Sequence, residues 1–242
     1  MRNTYLFFTK RCILRMGMIL VCSMLMQIAS GQVYMIQSKE GYTNIRSAAN
    51  AQSTVKAKLK NNTVILLDEA TEDPIHGNWI KILYYVNRPF TYLKPEKDMN
   101  LQSGFLHKSQ LVNIEDLPSP EAGEFTMTYT VAPFHKADYK LSYIDGSTTA
   151  VETVNGNVYY AADCGLPKTA VKSATAIING HKIIIPEQYL FGILHVENAL
   201  TIKKYNKVYI AYQTIGDGAC GNHLVWVFEG KNLVQRFIGW AY

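Results

Sequence analysis

Cysteine is scarce in this chain, with four residues in 242. No Cys-x-x-Cys pair occurs, and only Cys220 and His223 stand at a ligand-like spacing. Structural zinc sites draw three or four such ligands together, so no metal centre is expected. The alternating acids of an EF-hand loop are absent. So are the Gly-x-Ser-x-Gly nucleophile elbow, the phosphate-binding loop and the dinucleotide fingerprint. No cofactor is expected. There is no internal repeat and no low-complexity tract.

Charge of one sign is also missing once the leading segment is set aside. The chain has 24 basic and 19 acidic residues. Arg2, Lys10, Arg11 and Arg15 fall within the first thirty-one residues, which contain no acid. The remainder is nearly balanced, and no basic surface for nucleic acid is expected.

Those first residues have a definite form. A basic stretch precedes the apolar run Met16 to Ile28, and Ala29-Ser30-Gly31 supplies small residues at a cleavage position. Residues 1–31 are expected to be a secretory signal peptide, with export to the periplasm or beyond. The run falls short of the ~20 apolar residues of a transmembrane anchor. Cys22 is not expected to be lipidated, because Val21 stands where a lipobox requires Gly, Ala or Ser.

Cys164 and Cys220 remain, an even pair in an exported chain. A disulfide between them would close a loop of ~55 residues and contribute about 4 kcal/mol in the chain-entropy account. Two buried thiols are the alternative.

Sixteen tyrosines and few helical patterns favour a mostly β chain. Thr43-Asn44-Ile45-Arg46 and Trp79-Ile80-Lys81-Ile82 alternate, and Val64-Ile65-Leu66-Leu67 is an apolar strand. Ile45 and Trp79 are expected to face one core. Glu115 to Gly123, with Pro118 and Pro120, reads as a linker. Beyond it, Asp145-Gly146, Asn155-Gly156 and Asn179-Gly180 are hairpin signals. Lys207–Gln213, Leu224–Phe228 and Leu233–Trp240 form a meander, with Trp226 and Trp240 in the core. Pro186 suits a first helical position, and Glu187 to His195 is expected to form a short helix.

The order Gly41-Tyr42-Thr43-Asn44-Ile45-Arg46-Ser47, Val55 to Ile65, Gly77-Asn78-Trp79-Ile80-Lys81-Ile82 and Gly104-Phe105-Leu106-His107 resembles the bacterial SH3-type (SH3b) domain. Family members carry N-[IV]-R-S, W-x-K-[IV] and G-[WFY]-[VLI]-H strands in that sequence. The resemblance implies a small SH3-like barrel at residues 32–115. It implies an attachment module that binds cell-wall or peptide ligands and performs no chemistry. A linker at 116–123 and a largely antiparallel β domain at 124–242 with one short helix complete the expected organisation.

The chain departs from the family between Leu83 and Ser103, where a tight hairpin is replaced by a long aromatic segment. Tyr84, Tyr85, Phe90 and Tyr92 are the candidate ligand contacts, since tyrosine offers rigid area with a polar tip. Their alternative role is to close the barrel or pack on the second domain. Gly216 to His223 is a second candidate loop, with Asp217, Asn222 and His223 as polar groups; a plain hairpin connection is the alternative.

Asp163-Cys164-Gly165-Leu166 is similar to the Asp-Cys-Ser-Gly motif of papain-like cell-wall peptidases, which accompany SH3b domains. The serine is missing here, the following helix is weak, and no His-Val-Gly or His-Ile-Gly strand comes later. The thiolate activation such enzymes need has no visible source. The expectation is a non-enzymatic exported binder of peptidoglycan or a peptide. The alternatives are an inhibitor or immunity protein acting on an envelope protein, and a cell-wall hydrolase of unrecognised site.

Overall fold

The computed structural model describes residues 33–68, 74–85, 101–159, 165–190, 192–216 and 221–240. The expected signal peptide lies outside these. Gly31–Tyr242 is one compact unit. The fold is mostly β, built from antiparallel sheets. Among the described residues no helix is long and apolar enough to cross a membrane.

The N-terminal part contains β1 (Val33–Ile36), β2 (Tyr42–Arg46), β3 (Val55–Lys60), β4 (Val64–Leu67), β5 (Ile75–His76), β6 (Trp79–Tyr85), β7 (Leu101–His107) and β8 (Leu111–Asn113). They form one sheet in the order β3-β2-β7-β6-β4-β1-β8, with β5 paired to β6. Side chains alternate across a strand. Ile45 of β2, Leu59 of β3 and Ile80, Ile82 and Tyr84 of β6 therefore meet in one buried core with Leu106.

That alternation corrects one expectation. Ile80 and Ile82 take the inner face, so Trp79 is turned outward with Lys81. Trp79 lies edge-on to His107 of β7, with ring centroids 5.6 Å apart. Lys81 Nζ is 3.1 Å from Asp68 Oδ2 on the same side.

The C-terminal part contains β9 (Phe125–Pro133), β10 (Leu141–Tyr143), β11 (Val151–Val154), β12 (Asn157–Val158), β13 (Thr169–Ile178), β14 (His181–Ile184), β15 (Thr201–Tyr205), β16 (Val208–Ile215), β17 (Asn222–Glu229) and β18 (Asn232–Trp240). Three sheets result, β14-β13-β9, β10-β11-β12 and β15-β16-β17-β18. Asn179 and Gly180 have φ of 49° and 77°, the left-handed pair a tight hairpin turn demands, and they join β13 to β14.

The β15–β18 sheet is covered on both faces. Tyr209, Ala211, Leu224, Trp226 and Phe228 pack against Phe125, Met127, Tyr129 and Ala176 of the β9/β13 sheet. Val208, Ile210, Val225, Val227 and Phe237 pack against Val33, Met35, Val64 and Leu66. Two covered faces explain why residues 222–228 are buried without alternation. The same holds for β4, whose Ile65 and Leu67 enter one core and Val64 and Leu66 the other.

The segment between the two parts is held in place. Leu117 is buried in the shared core. Lys203 Nζ donates to the carbonyls of Glu115 at 2.6 Å and Leu117 at 2.8 Å. The expected helix after Pro186 is shorter than its pattern suggests. A single 3-10 turn, Glu187–Tyr189, forms. Gly192 and His195 take φ of 74° and 57°, which no right-handed helix accommodates.

Candidate ligand-binding cleft

The aromatic candidates are divided by their position in β6. Tyr84 is 1% exposed and belongs to the core beneath β2 and β7. Burial pushes its hydroxyl pKa upward. It is a core residue and offers no surface to a ligand. Tyr85, one position on, points to the opposite face. Its ring stands edge-on to Phe237 at 5.5 Å, and its hydroxyl donates to the Ile238 carbonyl at 3.0 Å. Phe90 and Tyr92 lie outside the described residues.

The second candidate loop is also divided. Asn222 and His223 begin β17 and are buried, so they belong to the sheet rather than to its connection. Asp217, Cys220 and Cys164 lie outside the described residues, as does the disulfide expected between the two cysteines. Among the described residues no group of three or more His, Cys, Asp or Glu could hold a metal ion.

Tyr85 contributes to an open cleft of about 530 Å³. One wall is the end of β3 and the turn after it: Lys58, Leu59, Lys60, Asn61, Asn62 and Thr63. Val64 and, from the last two strands, Glu229, Val234 and Gln235 complete the lining. The sequence Val55-Lys56-Ala57-Lys58-Leu59-Lys60 alternates, so Leu59 enters the core while Lys58 and Lys60 remain in solvent.

The turn is rigidly tied. Asn62 adopts φ 67°, a left-handed conformation that asparagine tolerates better than most residues. Its Oδ1 accepts from Gln37 Nε2 at 2.7 Å, and its Nδ2 donates to Glu229 Oε1 at 3.3 Å. Asn61 Oδ1 accepts from the Ser38 N–H at 2.9 Å, and its Nδ2 donates to the Ser38 carbonyl at 2.8 Å. Lys58 Nζ lies 4.8 Å from the Tyr42 ring centroid, a cation–π contact. The cleft is thus lined by Lys58, Lys60 and Glu229 around a hydrogen-bonded turn, and by Tyr85, which is itself a buried residue.

A second cavity of about 470 Å³ is lined by Lys168, His195, Glu197, Thr201 and Gln213, among others. Its charges are mixed, since Lys168 and Glu197 both line it.

No sequence motif marks Lys58, Lys60 or Gln235. The lysines left a signal in the alternation of β3; Gln235 left none, because its partner is distant in sequence. No family model, curated protein or solved structure matches the chain.

Proposed function

We propose that this is an exported, non-enzymatic binding protein whose SH3b-like N-terminal part takes a peptide or peptidoglycan fragment. The observation that carries this reading is the open cleft walled by Lys58, Lys60 and Tyr85. Its volume is within the range of about 300–1,000 Å³ typical of small-ligand sites. Lys58 and Lys60 outnumber the one carboxylate of the lining, Glu229, and favour a ligand bearing carboxylates, which cell-wall stem peptides carry. The expected secretory leader would deliver the protein to that material.

Co-sedimentation of the protein with purified peptidoglycan sacculi tests the reading. Pelleting without release of soluble muropeptides, weakened by Lys58→Glu with Lys60→Glu, supports a wall-binding module. Failure to pellet withdraws it and leaves an envelope protein as the partner to seek. Release of muropeptides would instead reveal a hydrolase.

A further inference from the structure

We propose that the ligand of this cleft binds as an added β-strand along the outer edge of β3, and that it is an extended peptide with acidic side chains at alternate positions. The inference rests on the binding-protein reading above and names its ligand class.

Among the described residues β3 is the last strand of its sheet. Its pairing with β2 fixes which main-chain groups face outward. The Asn61 N–H donates to the Gly41 carbonyl at 2.9 Å, in register with Lys60 opposite Tyr42 and Lys58 opposite Asn44. Hydrogen-bonded and non-bonded pairs alternate in an antiparallel ladder. Asn61, Leu59 and Ala57 therefore bond to β2, while the main-chain groups of Lys58 and Lys60 point away from it. The Lys60 carbonyl already accepts from the Thr63 N–H at 3.3 Å. What β3 offers a new strand is the Lys58 N–H and carbonyl and the Lys60 N–H.

The ladder is bounded. A bulge lies between the Ala57 and Val55 pairings, and the Asn61–Asn62 turn closes the other end. An added strand makes few main-chain bonds there, and side-chain charge must supply specificity. Lys58 and Lys60 project on one face about 7 Å apart, the repeat of alternate residues in a strand. Carboxylates at positions i and i+2 of a bound peptide match that repeat. Lysines on an exposed edge oppose pairing with an identical edge, which disfavours a second copy while favouring an acidic strand.

The test is a titration of the protein with a blocked eight-residue peptide alternating Glu and Val, followed by fluorescence anisotropy at low salt. A Gln-for-Glu analogue and a fully N-methylated analogue serve as comparisons. The expected result is binding of the parent peptide, with each analogue about tenfold weaker or more. Lys58→Glu with Lys60→Glu is expected to weaken the parent peptide by a similar factor. Equal binding of the methylated and parent peptides overturns strand addition while the binding-protein reading stands. So does pelleting with sacculi in the absence of any peptide binding. A concentration-dependent dimer that excludes the parent peptide overturns it by giving the edge to a second copy. No binding to peptide or sacculi removes both.

Discussion

The side-chain amide of Gln235 makes the two hydrogen bonds with Val64 that a neighbouring strand would make. Gln235 Oε1 accepts from the Val64 N–H at 2.7 Å, and Nε2 donates to the Val64 carbonyl at 3.0 Å. Asn198 treats Tyr129 in the same way, accepting from its N–H at 3.0 Å and donating to its carbonyl at 3.2 Å. Asn61 does so at Ser38. Main-chain groups removed from water must be paired. Each amide satisfies one donor and one acceptor where the sheet supplies no strand.

Gln235→Ala is expected to leave both Val64 groups buried and unpaired. A buried unsatisfied group costs about 1–3 kcal/mol, and urea denaturation should show a loss of at least that size. Gln235→Glu separates geometry from charge. An ionised carboxylate still accepts from the N–H but opposes the carbonyl, whereas a protonated one restores both bonds. The Glu variant should therefore gain stability relative to wild type as pH falls. A pH-independent difference would show that the site is water-filled.

Two glycines sit where neighbouring atoms leave no room for a Cβ. A Cβ on Gly239 of β18 would lie 2.5 Å from Leu66 Cδ1 and 2.8 Å from Phe237 Cε1. A Cβ on Gly104 would lie 2.4 Å from Ile45 Cγ2 and 3.0 Å from the Arg46 carbonyl oxygen. Overpacking of this kind costs about 1–3 kcal/mol. Gly104→Ala is expected to be the worse of the two. The β-branched Ile45 is stiff and a main-chain oxygen cannot rotate away, while Leu66 ends in a flexible isobutyl group. Paired denaturation curves decide the order.

Lys203→Met should loosen the connection between the two parts without emptying the core. The substitution keeps most of the side-chain length but removes the ammonium that holds the Glu115 and Leu117 carbonyls. Limited proteolysis should then cut between residues 115 and 123 faster than in wild type, with little change elsewhere. Leu117→Ala is the stronger form of the same test. It also removes a buried side chain from the shared core, at an expected cost of about 2–5 kcal/mol.

How much was legible follows from the range of each interaction. The Asn179-Gly180 hairpin is local, and its turn chemistry places it. The mostly β character is a property of composition and period. Gly104 was legible as part of a motif, but its reason, the approach of Ile45, is not local. The outward face of Trp79 follows from the alternation that the buried Ile80 and Ile82 set, which outweighs its aromatic character. Tyr84 and Tyr85 form an adjacent pair in sequence, yet opposite strand faces send one to each core. The burial of Asn222 and His223 depends on layers above and below β17, which no window around the residues contains. The cleft brings the turn after β3 to the end of β17 across 167 positions, and Glu229, Val234 and Gln235 left no trace in any motif.

Glu124 and Lys204 form the ion pair whose pH dependence is most open to test. The hydrogen bond from Lys204 Nζ holds the Glu124 carboxyl below the usual carboxylate range, helped by the Glu121 N–H donating to Oε2 at 2.8 Å. The same hydrogen bond raises the Lys204 ammonium above the usual lysine value. A depressed acid stabilises the fold above its unfolded pKa, and that contribution disappears as pH falls through the lower folded value. A raised base stabilises below its unfolded pKa, and loses that contribution as pH climbs through the higher folded value. The pair therefore contributes over the whole neutral range. Glu124→Gln is expected to be less stable than wild type at neutral pH, with the difference closing in strong acid. Urea midpoints for both proteins across the acid range would show it. A gap that persists below the carboxylate range would mean that Glu124 acts by shape rather than charge.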